Sequence, residues 1–138
     1  MRVLGLDVGD RRIGLALSDE TGLLAQGRGV YLRQDLARDV ANLGQMAKEF
    51  GAHALVVGLP LNMDGTEGEQ AAKVRTLAGA LAQHTGLPLH YVDERWTTQE
   101  VERMLREVRA SQSKKRKAKD ERAAMLILQA WLDRQRAL

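Results

Sequence analysis

The sequence has no cysteine and few aromatic residues, with only two Trp, two Tyr and one Phe among 138 positions. Without Cys, a disulfide framework and a thiolate metal site are both excluded. No apolar run approaches the roughly 20 residues of a membrane span, and the first residues lack the pattern of a signal peptide. Hydrophobic residues make up 44% of the chain, which is typical of a globular protein. We therefore expect a single domain over residues 1–138, cytoplasmic and without a membrane partner.

Positive charge is concentrated in one segment near the end of the chain. The formal net charge is +3, but five basic residues at 114–119 contribute +5, so the remainder carries −2. Such a segment favours a polyanionic partner, with nucleic acid as the first candidate. The alternative is a solvated loop, and we expect residues 111–119 to be mobile because Ala118 is their single apolar residue.

A carboxylate interrupts the first apolar run, Val3 to Val8, at Asp7. A second run, Ile13 to Leu17, follows after a link short enough for a hairpin. An ionised side chain inside a strand is costly to bury unless a cation or hydrogen-bond donors meet it. Gly5 and Gly9 leave the backbone open on either side. The pattern indicates a metal or phosphate site at Asp7, and the alternative is a strand-end Asp that caps the turn.

The rest of the chain alternates strands and helices. We predict a third strand over 23–32 bent at Gly27 or Gly29, and then a helix from the N-cap Asp35 to Gly51. A strand at 54–59, a loop at 60–68, a helix at 69–85 ended by Gly86 and a strand at 88–92 follow. The last two elements are a helix from Thr97 through Val108 and a final helix from Asp120. A three-strand meander followed by β-α-β crossovers predicts an α/β protein with a mixed sheet flanked by helices. Functional groups of such sheets gather at the carboxyl ends of the parallel strands.

Carboxylates occur at three places that a solvating role does not explain. Asp7 lies in the first strand, Asp93 and Glu94 end the last strand, and Asp120 opens the last helix. Asp120 shares the helix face that is predicted to pack on the sheet, although an N-cap is its alternative role. Converging carboxylates repel one another unless a cation holds them. Hard oxygen ligands without Cys or a His cluster suit Mg²⁺ or Mn²⁺.

Phosphodiester hydrolysis accounts for these acids and the basic segment together. Two metal ions about 4 Å apart can activate a water molecule and stabilise the leaving oxygen, while the basic segment holds the polyanion. Trp96 follows the acidic pair and could stack on a base or pack in the core. The predicted nucleic-acid-binding residues are Arg11, Arg12, Asn62, Arg95, Lys114, Lys115, Arg116, Lys117 and Lys119.

Several motifs together resemble the YqgF/RuvX family over essentially the whole chain. They are Gly5 to Gly9 with Ile13 to Ala16, Val57 to Gly65, Val92 to Arg95 with Thr97 and Thr98, and Asp120 with Ala123, Ala124, Ile127 and Leu128. The resemblance implies a ribonuclease H-like fold with a five-stranded mixed sheet and a divalent-metal nuclease. Members are described as Holliday junction resolvases and as nucleases that mature the 5′ end of precursor 16S ribosomal RNA.

The resemblance also implies the metal ligands, carried over by position as Asp7, Glu94 and Asp120. Glu94 is favoured over Asp93 because related nucleases usually place Glu on that strand, although the motif contains both. Resolving a four-way junction needs two active sites, so a homodimer is a possible state of the protein.

Two other functions are open from the sequence. A nucleotide-binding module of the actin/hexokinase kind also begins with a strand, a metal-proximal Asp and a glycine-rich hairpin, but it needs two domains to clamp ATP. A non-catalytic nucleic-acid-binding factor in transcription or ribosome assembly would depend on the basic segment and not on the carboxylates.

Overall fold

Five strands and three helices make up the described part of the chain. The computed structural model describes residues 1–96 and 112–137, without the side chains of 96, 112–118 and 137. The elements are β1 (Arg2–Val8), β2 (Arg12–Ser18), β3 (Ala25–Leu32), α1 (Leu36–Glu49), β4 (Ala52–Leu59), α2 (Glu69–Thr85), β5 (Leu89–Asp93), a 3-10 turn (Glu94–Trp96) and α3 (Gln112–Ala137).

The strands form one mixed sheet in the order β3-β2-β1-β4-β5. The β1–β2 and β2–β3 pairs are antiparallel, whereas β1–β4 and β4–β5 are parallel. This confirms the predicted meander followed by parallel strands. Because β1, β4 and β5 run in the same direction, their carboxyl ends lie at one edge, which brings Asp7, the 60–68 loop and the Asp93–Glu94 pair to that edge.

The two faces of the sheet are covered by different helices. Alternate residues of β1 point to opposite faces, so Leu4 and Leu6 pack in one core with residues of α1 and α2. Val3 packs in a second core with Ile127 and Leu128 of α3. Burial on both faces explains why β1 and β4 read as nearly continuous apolar runs. By the same alternation Asp7 lies on the α3 face.

Local signals predicted several element boundaries correctly. The Asp35 side chain accepts a hydrogen bond of 2.9 Å from the Arg38 backbone N–H, which confirms the N-cap of α1. Helix α2 ends at Gly86, whose φ of 73° is left-handed. A bulge between β2 and β3 includes Gly29, with φ of 83°, which confirms the predicted bend. The third strand begins at Ala25, two residues later than predicted.

The predicted start of the last helix is wrong. Helix α3 begins at Gln112, eight residues before Asp120, so Asp120 lies inside the helix and is not its N-cap. Residues 112–119 are rich in Lys and Arg, which favour helix without an apolar face. The mobility of the basic segment stays a prediction, and the helix predicted from Thr97 lies outside the described residues. None of the described helices combines the length and apolar character needed to cross a membrane.

Candidate active site

Asp7 lies between two glycines of the neighbouring strands. It pairs directly with Gly14 of β2, and Gly58 occupies the corresponding place on β4, one residue beyond the last paired residues. A Cβ at Gly14 would lie 1.9 Å from the Asp120 carbonyl oxygen, and a Cβ at Gly58 would lie 2.7 Å from Oε1 of Glu94. The two glycines therefore create the space in which a helix and a second carboxyl group approach Asp7.

Sequence reasoning missed Gly14 and Gly58 and considered Gly5 and Gly9 instead. Gly5 serves the packing of α3, since a Cβ there would lie 2.8 Å from the Leu128 Cβ, and Gly9 closes the hairpin turn through a bond of 2.9 Å to the Arg12 carbonyl oxygen. A glycine inside an apolar strand often marks close backbone approach. That signal was present at both missed positions.

Asp7 and Glu94 share a hydrogen bond between their carboxyl groups. Burial, reinforced by the adjacent Asp7 carboxylate, raises the pKa of Glu94 to about 8. Burial also raises the pKa of Asp7, and the charge of Asp120 adds to this effect, while the hydrogen bond from Glu94 and the charge of Lys119 oppose it. At neutral pH Glu94 is thus mainly protonated and donates to Asp7.

Asp120 faces the same site from α3, and its carboxylate is paired with an arginine. Arg12 Nε donates to Asp120 Oδ2 at 2.6 Å. The Asp120 side chain is 17% exposed and the Arg12 side chain 36% exposed. The structure therefore brings Asp7, Glu94 and Asp120 to one place, with Asp7 bonded to Glu94 and Asp120 bonded to Arg12.

Asp93 points away from this cluster. Arg95 Nη2 donates to Asp93 Oδ2 at 2.6 Å, and the hydrogen bonds from Arg95 hold the pKa of Asp93 below its ordinary value. Arg95 also donates to the Met63 carbonyl oxygen at 3.2 Å. Asp93 thus fastens the 60–68 loop through Arg95, while Glu94 contacts Asp7, and this arrangement favours Glu94 over Asp93 as the acid of the site.

The donor set fits a hard divalent cation. Among the described side chains of residues 1–96 and 112–137, no three acidic, His or Cys groups are already placed to coordinate one ion. Burial is the main cause of the raised pKa values of Asp7 and Glu94, and the neighbouring carboxylates add to it. Three carboxylates without a nitrogen or sulfur donor suit Mg²⁺ or Mn²⁺.

The predicted nucleic-acid-binding residues fall into three groups. Arg12 and Lys119 adjoin the acids, as their ion pair and charge effect show, and Arg11 is exposed on the adjacent hairpin turn. Asn62 donates to Thr66 Oγ1 at 3.0 Å inside the loop that Arg95 fastens. The side chains of Lys114, Lys115, Arg116 and Lys117 lie outside the described residues, as does that of Trp96.

A buried ion pair that sequence reasoning missed anchors the hairpin turn beside Asp7. Asp39 of α1 has a fully buried side chain and accepts from Arg33 Nε at 3.1 Å, from the Gln34 backbone N–H at 2.8 Å and from the Tyr31 hydroxyl at 2.9 Å. Arg33 Nη1 in turn donates to the Gly9 carbonyl oxygen at 3.0 Å. These bonds fix the backbone from which Arg12 projects.

Comparison with known proteins places the chain in a family. A family model described as "RuvX: Holliday junction resolvase" matches residues 1–134. A protein of Moorella thermoacetica is 47% identical over 134 residues, covering 97% of this chain and 96% of the relative. A protein of Symbiobacterium thermophilum is 47% identical over 133 residues, covering 96% and 92%. Both bear the name "Putative pre-16S rRNA nuclease".

Solved structures with the same fold are junction resolvases. Thermus thermophilus RuvC in complex with a Holliday junction substrate has a TM-score of 0.60 at 21% identity, covering 98% of this chain and 96% of that chain. The fowlpox virus resolvase with Holliday junction DNA has a TM-score of 0.60 at 8% identity, covering 98% and 99%. At such identities the likeness shows the fold, which is ribonuclease H-like as the resemblance implied.

The family match favours the nuclease over a nucleotide-binding module and over a non-catalytic binding factor. Since the family model spans nearly the whole chain and relatives at 47% identity are matched almost end to end, the chain belongs to the RuvX family of Holliday junction resolvases and is a nucleic-acid-cleaving hydrolase.

Proposed function

We propose that the chain is a divalent-metal-dependent endonuclease in which Asp7, Glu94 and Asp120 hold Mg²⁺ or Mn²⁺. The observation that carries the proposal is the hydrogen bond between Asp7 and Glu94, with Asp120 facing them from α3. Bringing together acids so distant in sequence, and burying two of them, costs stability that a purely structural role would not repay. A cation would offset that cost.

Each acid has a distinct part in the proposed site. Asp7 is held on the middle strand of the sheet, and the glycines on both neighbouring strands leave space beside its carboxyl group. Glu94 must release a proton before it binds a cation, because its pKa lies near 8. Asp120 must either break its bond to Arg12 or bind the cation while it keeps that bond. Bound divalent ions would supply the activation of a water molecule and the stabilisation of the leaving oxygen.

The basic residues position the nucleic acid in this proposal. Arg12 and Lys119 adjoin the acids, Arg11 is exposed on the adjacent turn, and these residues contact phosphates together with the basic residues at 114–117. Asn62 and Arg95 present the loop at the end of β4 to the substrate. Contacts of this kind read backbone shape and charge rather than a base sequence.

The favoured substrate is a precursor of 16S ribosomal RNA, because relatives with 47% identity carry that name. The family description favours a Holliday junction as the second candidate. Junction resolution would require two active sites and therefore a homodimer, whereas trimming of an RNA would not. Both substrates occur inside the cell, so we propose that the protein acts in the cytoplasm.

A single variant tests the proposal. We expect wild type to cleave a precursor 16S RNA fragment, a synthetic four-way junction or both, in preference to a linear duplex, with Mg²⁺ or Mn²⁺. Asp7→Asn should bind the same substrates and lose cleavage by orders of magnitude, because a ligand is removed without a change in shape. Asp133→Asn, at an exposed acid of α3, is the matched control. Equal cleavage by Asp7→Asn and wild type would refute the proposed site.

The non-catalytic alternative makes the opposite prediction. It expects Asp7→Asn to be silent and replacement of the basic residues at 114–119 by Gln to abolish function. Under the nuclease proposal the same replacement weakens binding and flattens its salt dependence, by up to about 0.9 in the logarithmic slope for each phosphate of duplex DNA that is no longer neutralised. Binding of Mn²⁺ should be retained by that variant.

A further inference from the structure

Arg12 is paired with Asp120, the third acid of the proposed metal site. The bond of 2.6 Å between Arg12 Nε and Asp120 Oδ2 joins the start of β2 to the middle of α3, across 108 positions of the sequence. With 36% and 17% of their side chains exposed, the two groups are partly desolvated and still reachable from solvent. The ion pair is therefore shielded enough to hold the two side chains together, and it is accessible enough for a metal ion to replace the guanidinium.

The Arg12 guanidinium offsets the charge of the Asp120 carboxylate through their direct bond. Carboxylates gathered at one place repel one another, so this pairing favours the approach of Asp120 to Asp7. A divalent cation at Asp120 would attract the same carboxylate and repel the guanidinium. Arg12 and the cation therefore compete for Asp120.

We propose that Arg12 and the divalent cation exchange at Asp120, so that cation binding releases the guanidinium to bind a phosphate of the nucleic acid. This inference rests on the proposed function, since it takes Asp120 as a metal ligand. The planar guanidinium matches the geometry of a phosphate and carries a permanent charge. Asp120 thus exchanges the guanidinium for the metal ion. The guanidinium, which is bonded to Asp120 in the metal-free protein, is then released to bind the substrate.

The backbone around Arg12 allows this exchange to take place in the side chain alone. The hairpin turn is anchored by Arg33, whose backbone N–H donates to the Arg11 carbonyl oxygen at 2.9 Å and whose guanidinium donates to the Gly9 carbonyl oxygen at 3.0 Å. Arg12 itself is paired with Leu32 in the sheet. We therefore assign the exchange to a rotation of the Arg12 side chain on this anchored backbone.

Exchange makes the binding of metal and nucleic acid cooperative. Because coupling between two ligands is reciprocal, the cation must raise the affinity for nucleic acid by the same factor as nucleic acid raises the affinity for the cation. The competing arrangement has Arg12 remaining on Oδ2 while the cation takes the other oxygen of Asp120. In that case Arg12 orients the ligand, and its removal would weaken metal binding.

Calorimetric titration with Mn²⁺, without nucleic acid, distinguishes the two arrangements by sign. We expect Arg12→Gln to bind Mn²⁺ about fivefold more tightly than wild type, which corresponds to the upper range for an accessible ion pair. Arg38→Gln, which makes the same charge change on α1 across the sheet, should match wild type. Weaker or unchanged Mn²⁺ binding by Arg12→Gln would overturn the exchange. If that variant does not fold, Arg12→Lys should show a smaller change in the same direction.

Binding to a four-way junction with and without Ca²⁺, at constant ionic strength, tests the released guanidinium. We expect Ca²⁺ to tighten the binding of wild type to the junction and to give no such gain with Arg12→Gln. A denaturing gel checks that the junction is not cleaved during the measurement. An equal gain in both proteins would overturn the exchange. Failure of the proposed function looks different, because Mn²⁺ would then bind Asp7→Asn as well as wild type.

Discussion

Replacing Glu94 by Gln should stabilise the metal-free protein, and more so as the pH rises. The pKa of Glu94 is raised by burial and by Asp7 from an ordinary value of 4.5 to about 8 in the folded protein. Between these two values the folded protein retains a proton that the unfolded chain releases. The stability that this proton confers is complete below pH 4.5 and is lost as the pH rises toward 8.

The magnitude follows from the difference between the two pKa values. Between pH 5 and pH 8 a single group with this shift would lower the free energy of unfolding by at most about 3.5 kcal/mol. Glu94 is half-buried, and water can reach it once it ionises, so we expect about 2 kcal/mol. Gln has no proton to lose, and its amide can donate to Asp7 as the protonated acid does.

Urea denaturation with EDTA at pH 5 and pH 8 measures this effect. The difference in free energy of unfolding between Glu94→Gln and wild type should grow by about 2 kcal/mol over that range. Glu20→Gln, at an exposed turn, should show no such growth. Added Mn²⁺ should stabilise wild type more at pH 8 than at pH 6, because it displaces the proton, and should stabilise Glu94→Gln much less. A pH-independent difference would show that Glu94 does not share a buried site with Asp7.

Two further predictions concern the framework of the site. Gly14→Ala should lower the free energy of unfolding by about 2–3 kcal/mol and weaken Mn²⁺ binding, because the new Cβ would lie 1.9 Å from the Asp120 carbonyl oxygen and must displace α3. A loss of free energy under about 0.5 kcal/mol, measured by urea denaturation, would contradict this packing. Asp39→Asn should cost about 3 kcal/mol, since it removes the buried charge that Arg33 pairs with, and a stability equal to wild type would show that the pair does not anchor the turn.

Where a boundary depended on local chemistry, the sequence predicted it well. Asp35 caps α1 through its own side chain, and Gly86 ends α2 because it adopts a left-handed conformation. The start of α3 was misplaced because hydrophobic periodicity reports where a helix packs, whereas residues 112–119 form helix from intrinsic propensity. Apolar periodicity therefore marked the part of the helix that packs on the sheet and missed the helical residues before it.

The mixed sheet and the family could be predicted from the amino-acid sequence, and so could a set of candidate acids, because strand and helix periodicity and the carboxylates that interrupt it are local properties of the chain. Tertiary structure alone decided that Glu94 contacts Asp7 while Asp93 holds Arg95, that Arg12 pairs with Asp120, and that Gly14 and Gly58 make room for them. The physical reason is that these contacts depend on strand register and helix approach, which bring together residues as many as 108 positions apart.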